Sequence, residues 1–274
     1  MNAATTPDSR RLVLGAAVGF GVEQVHVFVE SLRATGYKGD VMMLVRWPGF
    51  AITRYLKRHG VHPMRIFQTR SFSRSPHARR YTIYAEYLRA NADRYHQVML
   101  SDTRDVVFQT HPFEGISGDQ CHFFLESGVR TIGTDETNAR WVKGCFSPQD
   151  AAALADKRIS CSGISIGGTR AMLTYLDRMK QRIDEVPYRI YREIGHGYDQ
   201  GLHNGLVYLD KSISGITVEN NGHIATMALE PRTAYELGPD TRIRTASGHL
   251  PAICHQYDRF PDLRAAMETR YPAT

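Results

Sequence analysis

At 274 residues, with 42% hydrophobic and 23% charged side chains, the chain suits one large α/β domain with an ample core and excludes extensive disorder. Its net charge of +6, from 34 basic and 28 acidic residues, reads as spread along the chain, and no nucleic-acid-binding module signature accompanies it, so no nucleic acid partner is expected. A diffuse positive field suits instead a phosphate-bearing small molecule, or a peripheral contact with an anionic membrane surface.

The polar start, Met1 to Asp8, lacks a basic-then-apolar signal design, and no window is apolar for long enough to span a bilayer, so a cytoplasmic location is expected. Leu12 to Val18 is an apolar run leading into Gly19-Phe20-Gly21, which predicts a buried first strand and a tight loop. A helix is predicted over Val22 to Thr35, stopped by Gly36, and then a strand over Asp40 to Val45. Ile52 to His59 predicts a helix closed by Gly60, Met64 to Phe67 a strand, Ala78 to Asn91 an amphipathic helix, and Gln97 to Leu100 a strand that ends at acids. This alternation implies a mostly parallel sheet with helical crossovers. From about Cys121 the chain mixes short strands with longer glycine-containing connections, and neither a domain break nor an internal repeat is evident. The four cysteines, Cys121, Cys145, Cys161 and Cys254, are widely separated, which excludes a CxxC zinc site and argues against a disulfide framework.

Four segments carry candidate chemistry. In Ser101-Asp102-Thr103-Arg104-Asp105-Val106 two acids and an arginine interrupt an apolar stretch at a strand end, where ligands of open α/β sheets bind. Two such carboxylates can hold a hard divalent cation; equally, Arg104 can pair with one acid at a surface turn, and on this segment alone both readings stand. Cys161-Ser162-Gly163 lies in a small-residue run that permits close backbone approach, or is simply a strand with a turn. Asp199-Gln200, with Asn204 after it, follows a glycine-rich helix entry in which Asp199 can serve as N-cap. Finally, the apolar run Ala252-Ile253-Cys254 ends in His255, a candidate metal or phosphate contact, although a histidine in that setting is more often structural.

Taken in this order, the segments resemble the GT-A glycosyltransferases, specifically glycosyltransferase family 8 and the related nucleotide-diphospho-sugar transferases of family 77. The family's Asp-x-Asp is echoed by Asp102-Thr103-Arg104-Asp105, with one residue more. Its Asn-Ser-Gly is matched by Cys161-Ser162-Gly163, its Asp-Gln pair and following Asn by Asp199-Gln200 and Asn204, and its C-terminal histidine by His255, without the usual glycine and lysine after it.

The resemblance implies a GT-A type, Rossmann-like fold: a mostly parallel central sheet flanked by helices, with a mixed C-terminal part. Residues 1–10 would be a flexible N-terminus and 11–274 a single domain, of which 11–120 form the nucleotide-binding part and 121–274 the sugar and acceptor part. The implied activity is transfer of a sugar from a nucleotide diphosphate sugar, first of all a UDP-sugar, to a hydroxyl of a glycan or other acceptor, with retention of configuration. Mn2+ or Mg2+ would be held by Asp102, Asp105 and His255. The donor would lie on Ala16, Ala17, Val18, Arg80 (preferred over Arg79), Asp102, Ser162 and Gly163, with Asp199 and Gln200 as the catalytic pair.

Competing readings are a catalytically silent glycan- or protein-binding module on the same fold, a nucleotidyltransferase, and a dinucleotide-dependent oxidoreductase. The nucleotidyltransferase lacks the expected basic phosphate loop, since Gly15 to Gly21 contains no Lys or Arg; the oxidoreductase lacks GxGxxG.

Overall fold

The computed structural model describes residues 8–67, 76–195 and 197–274. The flexibility expected of the N-terminus falls, for residues 1–7, outside the described residues. Asp8–Arg10 form a 3-10 turn, in which the Asp8 carboxylate accepts from Arg11 at 2.9 Å and from the Lys38 amide at 3.0 Å.

The first half follows the predicted alternation closely: β1 (Arg11–Ala17), α1 (His26–Ala34), β2 (Asp40–Arg46), α2 (Phe50–Arg58), β3 (His62–Ile66), α3 (Pro76–Ala90) and β4 (Gln97–Ser101). The helix predicted from Val22 opens as a short 3-10 turn, Val22–Gln24, before α1 begins. Gly36 and Gly60, the predicted stops, take φ of 83° and 66°, the left-handed conformation that ends a helix without steric cost when no Cβ is present.

The second half holds more regular structure than its glycine content implies: β5 (Val106–Phe108), β6 (Cys121–Leu125), α4 (Glu136–Cys145), α5 (Pro148–Leu154), β7 (Ser160–Gly168), α6 (Thr169–Glu185), α7 (Tyr188–Ile194), α8 (Tyr198–Leu209), β8 (Gly215–Val218), β9 (Ile224–Thr226), β10 (Tyr235–Leu237), β11 (Ile243–Thr245), β12 (Ile253–His255) and α9 (Pro261–Arg270). The α6 helix forms because Ala171, Met172, Tyr175, Leu176, Met179 and Ile183 recur at helical spacing and are all buried.

Among the described residues, seven strands make a sheet in the order β3-β2-β1-β4-β7-β6-β8. Only β7 runs against the others, antiparallel to both β4 and β6. The protein is therefore α/β with a mostly parallel sheet, compatible with a Rossmann-like fold. One face of the sheet packs Leu12, Leu14, Val98 and Leu100 against Tyr81, Tyr84 and Leu88 of α3 and Tyr175 of α6. The opposite face packs Val13, Val41 and Met99 against Phe28 of α1, Leu56 of α2, and Phe108 and Ile253 of a smaller sheet, ordered β5-β12-β9. Burial of these side chains stabilises by about 1.5–3 kcal/mol each relative to exposure. Among the described residues no helix is long and apolar enough to cross a membrane, and the four cysteines are free thiols.

Candidate functional site

β1 pairs with β2 on one side and β4 on the other. The chain thus winds outward from β1 through β2 to β3 and crosses back by α3 to β4 on the other side of β1, and the loops beyond β1 and β4 part to open a crevice at the carboxyl edge of the sheet. The Thr103 hydroxyl donates to the Ala16 carbonyl at 2.7 Å and ties the two loops together. Between them lies a cleft of about 290 Å3 whose walls include Ala16, Val18, Arg80, Asp102, Asp105 and Arg259. Ala17, placed by the resemblance beside its neighbours on the donor, is buried in the core against the α1 side of the sheet.

The smaller sheet brings the two acids to His255. The Asp102 amide still donates to the Gly163 carbonyl of β7 at 2.7 Å, and the chain then turns through Asp105 into β5. β5 pairs antiparallel with β12 so that His255 stands opposite Val106, and the Gln256 amide donates to the Asp105 carbonyl at 2.7 Å. As a result one ligand atom each of Asp102, Asp105 and His255 lies within 4.8 Å of the others. His255 Nε2 is 3.4 Å from Asp102 Oδ2 and 3.7 Å from Asp105 Oδ1, and it is buried with no hydrogen-bond partner. A buried, orphaned nitrogen facing two carboxylates is a donor set that could hold a divalent cation. Gly163 keeps that space open: a Cβ there would stand 2.8 Å from Asp102 Oδ2 and 2.9 Å from His255 Nε2.

Arg80, buried on α3, forms an ion pair with Asp102 and lies 3.6 Å from Asp199 Oδ2. Its neighbour Arg79 points instead to the surface, 2.8 Å from Asp184. Burial opposes the charge on Asp102, but Arg80 and then His255 outweigh it and hold the carboxyl well below the usual range. Asp105 moves the other way: burial, supported by the charges of Asp102 and Asp258, pushes it up against the pull of His255. For His255, burial favours the neutral ring, but Cys161 and the carboxylates of Asp102 and Asp105 dominate and hold its proton well above the usual imidazole range. The surface-turn reading of Arg104 holds in part, since its guanidinium is 3.8 Å from Asp105 and 3.5 Å from Asp258, beside Arg259 at 3.9 Å from Asp105. Asp102, however, finds its cation in the core.

The helix cap before α8 is Gly197, and Asp199 lies in the first turn with a buried side chain directed to Arg80. Burial pushes its carboxyl up, with Arg80 opposing. Gln200 is anchored on both sides of its amide: Nε2 donates to Glu126 Oε2 at 2.8 Å and to Asn138 Oδ1 at 2.9 Å, and Oε1 accepts from the Ser162 amide and hydroxyl at 3.4 Å. Asn204 Oδ1 accepts from the Ser160 amide at 2.8 Å, which fastens α8 to β7. His196, in the glycine-rich entry, lies outside the described residues.

Glu126 escaped the sequence reading. It follows β6 directly and is buried, and burial pushes its carboxyl up, with His255 and the Gln200 hydrogen bond opposing. The signal was the one that marked Asp102, an acid closing an apolar strand: Phe123-Phe124-Leu125-Glu126. Asn138, Gln256 and Arg259 carry no comparable local signal.

Behind Ser160 the core holds a neutral histidine. His203 is fully buried, 2.6 Å from the Tyr175 hydroxyl and 2.9 Å from Ser160 Oγ, and burial lowers its pKa to about 3. Below about pH 6.5 the unfolded chain takes up a proton that the folded one refuses, so this residue makes stability fall as pH drops, by about 2 kcal/mol between pH 7 and pH 5. Denaturant melts at the two pH values are expected to show this loss, and His203→Gln to flatten the slope; an unchanged slope would mean that His203 titrates normally.

No protein-family model matches the chain, and no curated protein matches it.

Proposed function

We propose that this protein is a metal-dependent glycosyltransferase of the GT-A type, moving a sugar from a nucleotide diphosphate sugar, first of all a UDP-sugar, to an acceptor hydroxyl with retention of configuration. The observation that carries the reading is the meeting of Asp102, Asp105 and the orphaned His255 Nε2 at the carboxyl edge of the sheet, in the cleft beside β1. These three would hold Mn2+ or Mg2+, which when bound neutralises charge on a diphosphate leaving group.

The remaining roles belong to the chain. Arg104 and Arg259, half exposed at the acids, offer donors to phosphate oxygens. The base and ribose would lie over Ala16 and Val18, close to the Thr103 tie. Arg80 fixes the orientation of Asp102 and Asp199 together, so that Asp199 can accept from sugar hydroxyls. Ser162, Glu126 and Asn138 hold the Gln200 amide in one orientation, which suits a group facing the anomeric carbon. Preorganisation of this kind lets polar groups act without reorganising as charge develops.

The test is calorimetric titration of the full chain with UDP, GDP and their common sugar conjugates, with and without Mn2+, followed by donor hydrolysis assays. Metal-dependent binding of one nucleotide, with slow hydrolysis of its sugar conjugate, is the expected outcome. Binding without any hydrolysis or transfer would favour the silent module; absence of binding to every nucleotide in the presence of metal would end the transferase reading.

A further inference from the structure

Three large apolar side chains that remain exposed stand together, away from the cleft acids. Trp47, Phe50 and Phe67 are 39%, 65% and 72% exposed, and the Trp47 ring centroid lies 6.0 Å from that of Phe50 and 5.9 Å from that of Phe67. The topology explains their meeting. Trp47 is the first residue beyond β2, Phe67 the first beyond β3, and Phe50 opens α2. β2 and β3 are parallel neighbours, so all three rings mark the carboxyl edge of the sheet, the edge on which β1 and β4 open the cleft.

One cation lies on these rings and others follow along α2. The α2 helix buries Ile52, Thr53, Tyr55 and Leu56 and turns Phe50, Arg54, Lys57 and Arg58 outward in one stripe. The Arg65 guanidinium lies over the Trp47 ring, 4.9 Å from its centroid, and Arg46 is exposed beside it. Although the overall charge looks diffuse, the run from Val41 to Phe67 contains five Lys and Arg and no Asp or Glu.

We infer that this corner is a docking surface for the anionic face of a phospholipid bilayer. Tryptophan and phenylalanine enter the boundary between headgroups and acyl chains, while arginine and lysine reach headgroup phosphates from stems that lie along the apolar layer. Each cation near an anionic surface strengthens the attachment. A second copy of the chain is the poorer fit, because a two-fold contact would set the Arg54, Lys57 and Arg58 stripe against its own like charges. Docking by this edge sets the cleft beside the membrane surface, whichever reaction the cleft performs.

The experiment is flotation of the full chain with vesicles of phosphatidylcholine alone and of phosphatidylcholine containing about 30% phosphatidylglycerol. Binding is expected only to the anionic vesicles, and weaker as salt rises from about 0.1 M to about 0.5 M. Phe50→Ser/Phe67→Ser and, separately, Arg54→Gln/Arg58→Gln change exposed side chains, so both variants should keep the wild-type circular dichroism and nucleotide binding while losing about tenfold or more in vesicle affinity. Absence of binding to anionic vesicles, or equal binding by the wild type and both variants, would overturn the inference. Light scattering that shows a wild-type dimer, and a monomer for the phenylalanine variant, would assign the patch to a second copy of the chain and overturn it as well.

Discussion

Asp105→Asn is expected to abolish metal-dependent nucleotide binding while leaving thermal stability equal to or above that of the wild type. The residue is 7% exposed and its carboxyl is pushed up by burial and by Asp102. A carboxyl whose pKa is raised on folding lowers stability as pH rises through that pKa, so at neutral pH its charge is a cost to the fold and the amide removes it. The same change takes away one of the three groups that could hold the ion. Altering residues that merely support metal ligands costs about 10–100-fold in affinity, so loss of a ligand itself should exceed about 100-fold. Calorimetry with Mn2+ and the preferred nucleotide, set beside a denaturant melt, reads both halves. A variant that binds as the wild type does would remove Asp105 from the site; one that binds weakly and also unfolds early would mean that Asp105 supports the fold. The expected opposition of stability and function is the pattern of a site held in place by its surroundings.

Arg80→Met carries the largest expected stability loss. The residue is 6% exposed and is the cation that Asp102 and Asp199 share in the core side of the cleft. Methionine preserves much of the volume but leaves two carboxylates without it, and removal of one partner from a buried ion pair costs about 3–5 kcal/mol. The pH dependence of that loss has a definite sign. Without Arg80 the Asp199 carboxyl, already pushed up by burial, rises further, while His255 still faces Asp102, so the penalty is greatest above the raised Asp199 pKa and fades as acid protonates that carboxyl. Denaturant melts of wild type and variant should therefore differ more at pH 7 than at pH 5. A further Asp199→Asn change should recover part of the loss, because it removes one of the stranded charges. A loss below about 1 kcal/mol would instead indicate a solvated pair at the surface.

Some of this protein was readable from one end of the chain to the other. The alternation of β1, α1, β2, α2, β3, α3 and β4, and the stops at Gly36 and Gly60, follow from apolar periodicity and backbone conformation, which act over a few residues. The same local logic singled out Asp102 and Asp105 at the end of β4, and it applied equally to Glu126 at the end of β6, where it was not followed. The strand alternative for the Cys161-Ser162-Gly163 run is β7, whereas α6, whose apolar spacing is as regular as that of α3, is not among the predicted elements.

What only the tertiary structure decided is which of these groups meet. No local preference states that β12 pairs with β5 in a register that lays His255 against the acids, or that Gln200 reaches Glu126, 74 positions away in the chain. Nor does a local pattern separate Arg80, drawn into the core between Asp102 and Asp199, from Arg79, which turns outward to Asp184. Periodicity can name a buried face, but both arginines border it, and which one enters depends on the carboxylates waiting there. The physical reason is range: helix and strand formation answer to neighbours a few residues away, whereas sheet register and the pairing of buried charges are settled by the packing of distant segments into one low-dielectric space.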